Sequence, residues 1–192
     1  MANPVAVDTL IVFERGEGGV RDIWTVDLSD PDSARAETYL SSEADLRRMV
    51  VSPDSTLAAY TSNESEQYEI YVRSFPDPGD RTIVSEHGGG IPFWSPDGNT
   101  LYYGREDGAT GTFKAARIQR NLVPVVLSTD SLFRVTGAGS VPTPGSGLHP
   151  DGDRFILARN VGTTDAEGGA PEPSRLILVQ KFFEELKRLV PN

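Results

Sequence analysis

Few residues in this chain have side chains suited to covalent or metal chemistry. Cysteine is absent, and the two histidines, His87 and His149, stand 62 residues apart. This excludes thiolate nucleophiles and cysteine-based zinc sites, and a metal site built from paired histidines is not expected. In "PGSGLHP" Ser146 lies three residues before His149, a hydroxyl close to a base. A working triad depends on geometry, and no strand–turn–helix pattern surrounds this pair, so no catalysis is expected of Ser146. His149 reads as a turn residue capping local backbone. His87, followed by Gly88, Gly89 and Gly90, reads as a solvent-facing loop residue. The acid pairs Asp77 with Asp80 and Asp151 with Asp153 have the type of side chain that holds calcium, but EF-hand spacing is absent. They read as solvated turn acids. The clusters "GEGG", "HGGG" and "GAGS" miss the spacing of a phosphate-binding loop, and no G-x-G-x-x-G, H-R-D, D-F-G or G-x-S-x-G is present. No cofactor and no metal are expected. Trp24, Trp94, Tyr71 and Tyr103 could line a ligand cradle, but as strand aromatics they read as core.

Composition narrows the partners. Lys and Arg number 18 against 28 Asp and Glu in 192 residues, a formal charge of −10. With a pI near 4.7, the chain lacks the concentrated basic surface that a nucleic-acid backbone requires. The first 20 residues carry no apolar core with a basic flank, and no stretch reaches the roughly 18 apolar residues of a membrane span. The chain as given therefore reads as a soluble, cytoplasmic globular domain without direct membrane insertion. At about 150 residues per domain it is one domain, long enough to bury a core without staples.

A repeat organises the chain. "SPDSTLAAYTS" from Ser52, "SPDGNTLYYGR" from Ser95 and "HPDGDRFILAR" from His149 align without gaps. Pro53, Pro96 and Pro150 coincide, as do Asp54, Asp97 and Asp151; the spacings are 43 and 54. Phe13 precedes Trp24 by 11 residues, and Tyr60 precedes Tyr71 by the same 11, at an offset of 47. A period in the forties with several short strands per unit is the signature of propeller blades.

The turn chemistry is local. Proline presets φ at the first corner, and the Asp side chain can accept a backbone N–H two residues on. Gly98 and Gly152 supply positive φ, while Ser55 fills that place in the first copy. The runs "LIVF", "IYV" and "LYY" are apolar at successive positions, as expected of strands packed on both faces. These features predict an all-β, partial propeller of about four four-stranded antiparallel blades, spanning about 7–41, 45–86, 90–130 and 138–181. The first blade is expected to have three strands and to lack its innermost one. In the last blade, strands near 154–160 and 174–180 flank a Gly/Pro/acidic loop, "NVGTTDAEGGAPEP". In "KFFEELKRLVPN" the apolar Phe182, Phe183, Leu186, Leu189 and Val190 share a helical face, which predicts a short C-terminal α-helix over about 182–190.

The segments "AAYTSNESEQYEIYVRSFPDPG" and "GGGIPFWSPDGNTLYY" resemble TolB-like β-propellers, the WD-like class with Ser-Pro-Asp-Gly turns. The ending "LILVQKFFEELKRLVPN" resembles the C-terminus of bacterial proteins that join a serine/threonine kinase-like domain to such a propeller. The resemblance implies a closed ring of about six or more blades, so this chain is expected to be part of a longer propeller. Open blade edges would favour self-association. Ser52, Pro53, Asp54, Ser95, Pro96, Asp97, Gly98, His149, Pro150, Asp151 and Gly152 are expected to be structural turn residues. The expected function is non-catalytic interaction or sensing, with a protein or peptide partner bearing basic patches and no nucleic acid. The alternative is a substrate-gating propeller fragment of a prolyl-oligopeptidase-like hydrolase. If the chain belongs to a membrane-spanning kinase, it would be extracytoplasmic.

Overall fold

Apolar residues at successive strand positions require a partner layer on each face, and the chain builds itself accordingly. A computed structural model describes residues 5–7, 10–30, 32, 34–108, 110–136, 147–148, 154–159 and 175–179. They form four antiparallel sheets, each an uninterrupted stretch of sequence. The first contains β1 (Val5–Val7), β2 (Leu10–Glu17), β3 (Val20–Asp27) and β4 (Ala36–Leu40). The second contains β5 (Leu46–Val51), β6 (Leu57–Ser62), β7 (Glu69–Ser74) and β8 (Arg81–Ile83). The third contains β9 (Gly90–Trp94), β10 (Thr100–Asp107), β11 (Thr110–Gln119) and β12 (Val125–Thr136). In the fourth, β13 (Gly147–Leu148), β14 (Phe155–Arg159) and β15 (Arg175–Val179) follow one another. Within each sheet, strands consecutive in sequence are hydrogen-bonded neighbours, the meander of a propeller blade.

The 11-residue aromatic spacing has a direct structural cause. Phe13 faces Trp24 across β2–β3, and Tyr60 faces Tyr71 across β6–β7. Tyr103 faces Lys114 at the same spacing in the third blade. These are cross-strand partners in successive central hairpins.

Alternation along each central strand divides its side chains between two cores. Leu57 and Ala59 of β6 join Leu101 and Tyr103 of β10 in a cluster between blades two and three. Ala58 and Tyr60, the intervening positions, join Val12 and Ile23 in a cluster between blades one and two. Likewise Tyr102 turns away from its neighbours and meets Phe113 and Phe155 between blades three and four. Phe155 is wholly buried, its ring 5.1–5.9 Å from those of Tyr102, Phe93, Phe113 and Phe133. Tyr71, Tyr103 and Trp94 are core residues, as read from sequence. Trp24 is not: it is half-buried, with the Arg15 guanidinium 4.7 Å from its ring.

Three expectations require correction. Blade one has its innermost strand: β1 pairs with β2 through Val5–Val12, Ala6–Ile11 and Val7–Leu10. A three-residue strand is too short to display a period, so it left no signal. The outer strand of blade three runs to Thr136, with register shifts at Phe113/Lys114 and Arg117/Ile118 that obscure its alternation. Blade four has three strands among the described residues, β13 being only two residues long. The predicted helix over 182–190 and the turn His149–Gly152 lie outside the described residues, as does Ser146.

Candidate functional site

The turns following β5 and β9 repeat one hydrogen-bond circuit. Ser52 Oγ donates to Asp54 Oδ1 at 2.7 Å and accepts the Leu57 amide at 2.9 Å. Ser95 Oγ donates to Asp97 Oδ1 at 2.5 Å and accepts the Thr100 amide at 3.0 Å. Backbone bonds Ser55 N to Ser52 O and Gly98 N to Ser95 O, both 2.8 Å, close the turns. Ser55 and Gly98 have φ of 56° and 65°, the left-handed corner expected of them. The serines are buried, and the circuit ties each turn to the strand that follows it. Hydrogen bonds from Ser95 and from the Asn99 amide hold the Asp97 carboxyl below its ordinary value. Arg120, just beyond β11, donates to Asp54 of one turn and at 3.2 Å to the Asp97 carbonyl of the other.

The opposite ends of the same strands form a cavity of about 410 Å³. Its walls come from β5 (Arg47, Arg48), β6 (Thr61), the β6–β7 loop (Gln67, Tyr68), the β8–β9 connection (His87, Gly88, Gly89) and β9 (Ile91), with Glu106 of β10 at the rim. This is the size of a small-molecule or peptide-terminus site. His87, read as a loop residue facing solvent, is exposed, and it is also part of the cavity wall.

Backbone strain is repeated here at the blade period. Arg48 and Ile91, 43 residues apart, have φ of 53° and 55°. Each sits at a break in register: β5 slips against β6 between Arg47 and Val50, and β9 slips where β10 passes from Tyr102 to Gly104. A bulge of this kind re-aims the side chain it carries, and left-handed non-glycine residues gather at ligand-binding positions.

Two buried acids stiffen the walls. Asp45 accepts the Tyr68 hydroxyl at 2.8 Å and the Arg21 Nε at 3.0 Å, and is paired with Arg47. Burial pulls its carboxyl upward, but the bonds from Tyr68, Arg47 and Arg21 outweigh this and hold it below the ordinary range. The Arg47 guanidinium also lies 4.5 Å from the centre of the Tyr68 ring. Glu69 accepts the Gly88 amide at 2.7 Å and the Gln67 side chain at 2.6 Å, and receives the Ser85 hydroxyl. Gly89 must be glycine: a Cβ there would meet Ser85 Oγ at 2.6 Å.

Two of the shielded polar side chains in the cavity wall, Arg48 and Thr61, make no hydrogen bond among the described residues. Among the described residues the Arg48 guanidinium makes no hydrogen bond or ion pair; only its backbone amide is engaged, to Glu14 at 2.6 Å. Thr61 is 3% exposed, and its hydroxyl has no partner among the described residues.

Sequence reasoning singled out the turn residues and missed Arg47, Arg48, Thr61, Tyr68 and Glu106. The usable signal was the 43-residue offset, which carries Arg48 onto Ile91 as surely as Ser52 onto Ser95. Among the described residues no group of three or more His, Asp or Glu gathers as a metal site, and no helix is long and apolar enough to cross a membrane.

No protein-family model matches the chain. Its fold is similar to the crystal structure of TolB from Acinetobacter baumannii, with a TM-score of 0.62 and 17% identity over 91% of this chain and 38% of that one. It is also similar to a structure assigned as TolB from Agrobacterium tumefaciens, with a TM-score of 0.64 and 16% identity over 91% and 58% of the two chains. A prolyl endopeptidase structure matches with a TM-score of 0.56 and 15% identity, over 91% of this chain and 29% of that one. At these identities the likeness establishes the fold, an antiparallel TolB-like β-propeller. The chain spans 38% and 58% of the length of the two TolB structures.

Proposed function

We propose that this chain is a non-catalytic propeller module that recognises a protein or peptide partner at the inner ends of blades two and three. The observation that carries this is the cavity of about 410 Å³ walled by Arg47, Arg48, Tyr68 and the glycines before β9. Arg47 and Tyr68 are held in place by Asp45, so the wall meets a ligand already ordered, and little conformational entropy is lost on binding. A polar, rigid recess on a strand scaffold suits recognition. The test is panning a displayed peptide library on the purified chain, then repeating with Arg47→Glu and Tyr68→Ala. Enriched peptides that bind the parent and lose at least tenfold affinity for both variants support the reading. Turnover of a lactone or peptide substrate abolished by the same substitutions overturns it.

The kinase-linked setting rests on the resemblance of residues 176–192 and is tested by the coding frame upstream of Met1. A frame encoding H-R-D and D-F-G motifs agrees with it; one without them counts against it. In that setting a membrane span between kinase and propeller would put the module outside the membrane, and without one the module would be cytoplasmic. A second reading, the substrate-gating propeller of a hydrolase, is favoured by the likeness to a prolyl endopeptidase. A neighbouring G-x-S-x-G domain in the frame would select it.

A further inference from the structure

We infer that the cavity at the inner ends of blades two and three takes a carboxylate, gripped by the Arg48 guanidinium and the Thr61 hydroxyl. This rests on reading the cavity as a binding site and names the group bound there.

A buried hydroxyl without a partner carries a desolvation cost, and Thr61, 3% exposed and unpartnered among the described residues, lines this cavity. The Arg48 guanidinium, half-buried in the same wall, makes no hydrogen bond or ion pair among the described residues. Burial depresses its pKa, with Glu14 acting in the opposite sense, and an arginine so placed is still a cation at neutral pH. The neighbouring Arg47 is committed to Asp45, and the amides of Gly88 and Gly89 to Glu69 and the Tyr68 carbonyl. Among the described residues, the side-chain donors of Arg48 and Thr61 are therefore the shielded ones in this wall without a hydrogen-bond acceptor.

That complement fits one anionic charge with two acceptor oxygens. A guanidinium offers a fork to a carboxylate, and a hydroxyl can donate a further bond. A phosphate dianion would bring twice the charge to a wall whose one unbonded guanidinium already feels Glu14, with Glu106 on the rim and a chain of formal charge −10 around it. Ile91 provides an apolar wall for whatever adjoins the carboxylate. The strained backbone at Arg48 (φ 53°) is the device that turns this side chain out of the strand pattern.

The experiment is a titration of the ¹⁵N-labelled full chain, followed at the Arg48 Nε–H and Thr61 amide resonances. The probes are sodium acetate, acetyl-trialanine with a free C-terminal carboxylate, the same peptide amidated, and inorganic phosphate. Saturable shifts at both positions with acetate or the free-acid peptide, and none with the amide, are expected. Arg48→Gln should weaken binding at least tenfold and Thr61→Val several-fold. Acetate binding as tightly as the peptide identifies a small-molecule carboxylate; tighter peptide binding identifies a chain terminus. Thr61→Val should leave the melting temperature unchanged or raise it, since the hydroxyl has no hydrogen bond to lose among the described residues. Equal binding of acid and amide, preference for phosphate, no binding at all, or a marked fall in melting temperature for Thr61→Val overturns the inference. If panned peptides bind and depend on Arg47 while no carboxylate probe does, the carboxylate inference fails and the binding module stands. If neither binds, both fail.

Discussion

Arg120 donates to the carboxylate of Asp54, 66 residues earlier in the chain, and so pins the turn of blade two to that of blade three. Both partners are partly exposed, at 28% and 39%, so solvent screens the pair. Arg120→Ala should cost no more than about 1 kcal/mol in urea unfolding. Ser52→Ala acts inside the same turn and strands the buried Leu57 amide, which should cost about 1–3 kcal/mol. The reverse ranking would show that the inter-blade tie, not the turn circuit, governs this end of the sheets.

The two left-handed corners should respond oppositely to glycine chemistry. At Gly98 a Cβ would clash with an Arg120 nitrogen and meet Pro53 Cδ at 3.2 Å, in a backbone with φ of 65°. Gly98→Ala should therefore destabilise by about 1–2 kcal/mol. Ser55 already bears the strain of φ 56°, so Ser55→Gly should relieve it, for a net gain of about 0.5 kcal/mol after the added freedom of the unfolded chain. Thermal melts of the two variants decide the signs.

Asp45 predicts an acid-sensitive joint between blades one and two. Its folded-state pKa is depressed, so its stabilisation is present above the unfolded value near 3.8 and is lost as pH falls through the folded value. Stability measured from pH 6 to pH 2 should fall at the acid end, and Asp45→Asn should be less stable at pH 6 and flatten that limb. An unchanged slope in Asp45→Asn would transfer the effect to other carboxylates.

The alkaline limb should be set by buried phenols. Burial raises Tyr102 and Tyr103 to about 12, so these rings stay neutral in the folded chain while the unfolded chain ionises near 10. Stability is full below pH 10 and declines between 10 and 12. In a spectrophotometric titration all six tyrosines should ionise above the ordinary phenol value, Tyr102 and Tyr103 at about 12 and Tyr39 later still, and Tyr102→Phe should remove one of the two transitions at about 12.

Phe155 carries blade four into the ring cluster of blade three, with Leu148 of β13 packed against the same cluster. Phe155→Ala should cost about 3–5 kcal/mol. Hydrogen exchange should quicken in β10 and β11 and remain near its original rate in β2 and β3, two cores away.

What could be read in the sequence was whatever repeats locally. Ser52–Pro53–Asp54 and Ser95–Pro96–Asp97 build their turns from bonds within five residues, so their spelling carries their structure. Strand positions in blade two followed because both faces are buried and the apolar runs are continuous. The cavity was hidden because it depends on relations between strands. Arg48 becomes distinctive through a slip of β5 against β6, and Thr61 because none of the described residues gives its buried hydroxyl a hydrogen bond. Neither property is written in residue type. Asp45 and Glu69 look like surface acids in a chain rich in them, and only the neighbours brought by blades one and two make them buried anchors.

Because each sheet is contiguous in the chain, recombination between coding segments at a loop such as 41–45 or 84–89 would move a complete sheet. The transplanted unit would not carry a finished interior, since alternate side chains of its middle strands belong to different neighbours. Gaining or losing such units is thus constrained at the seams: two newly adjacent faces must match in volume, as Ala58 and Tyr60 share a cluster with Val12 and Ile23 on one side and Leu57 and Ala59 share one with Leu101 and Tyr103 on the other.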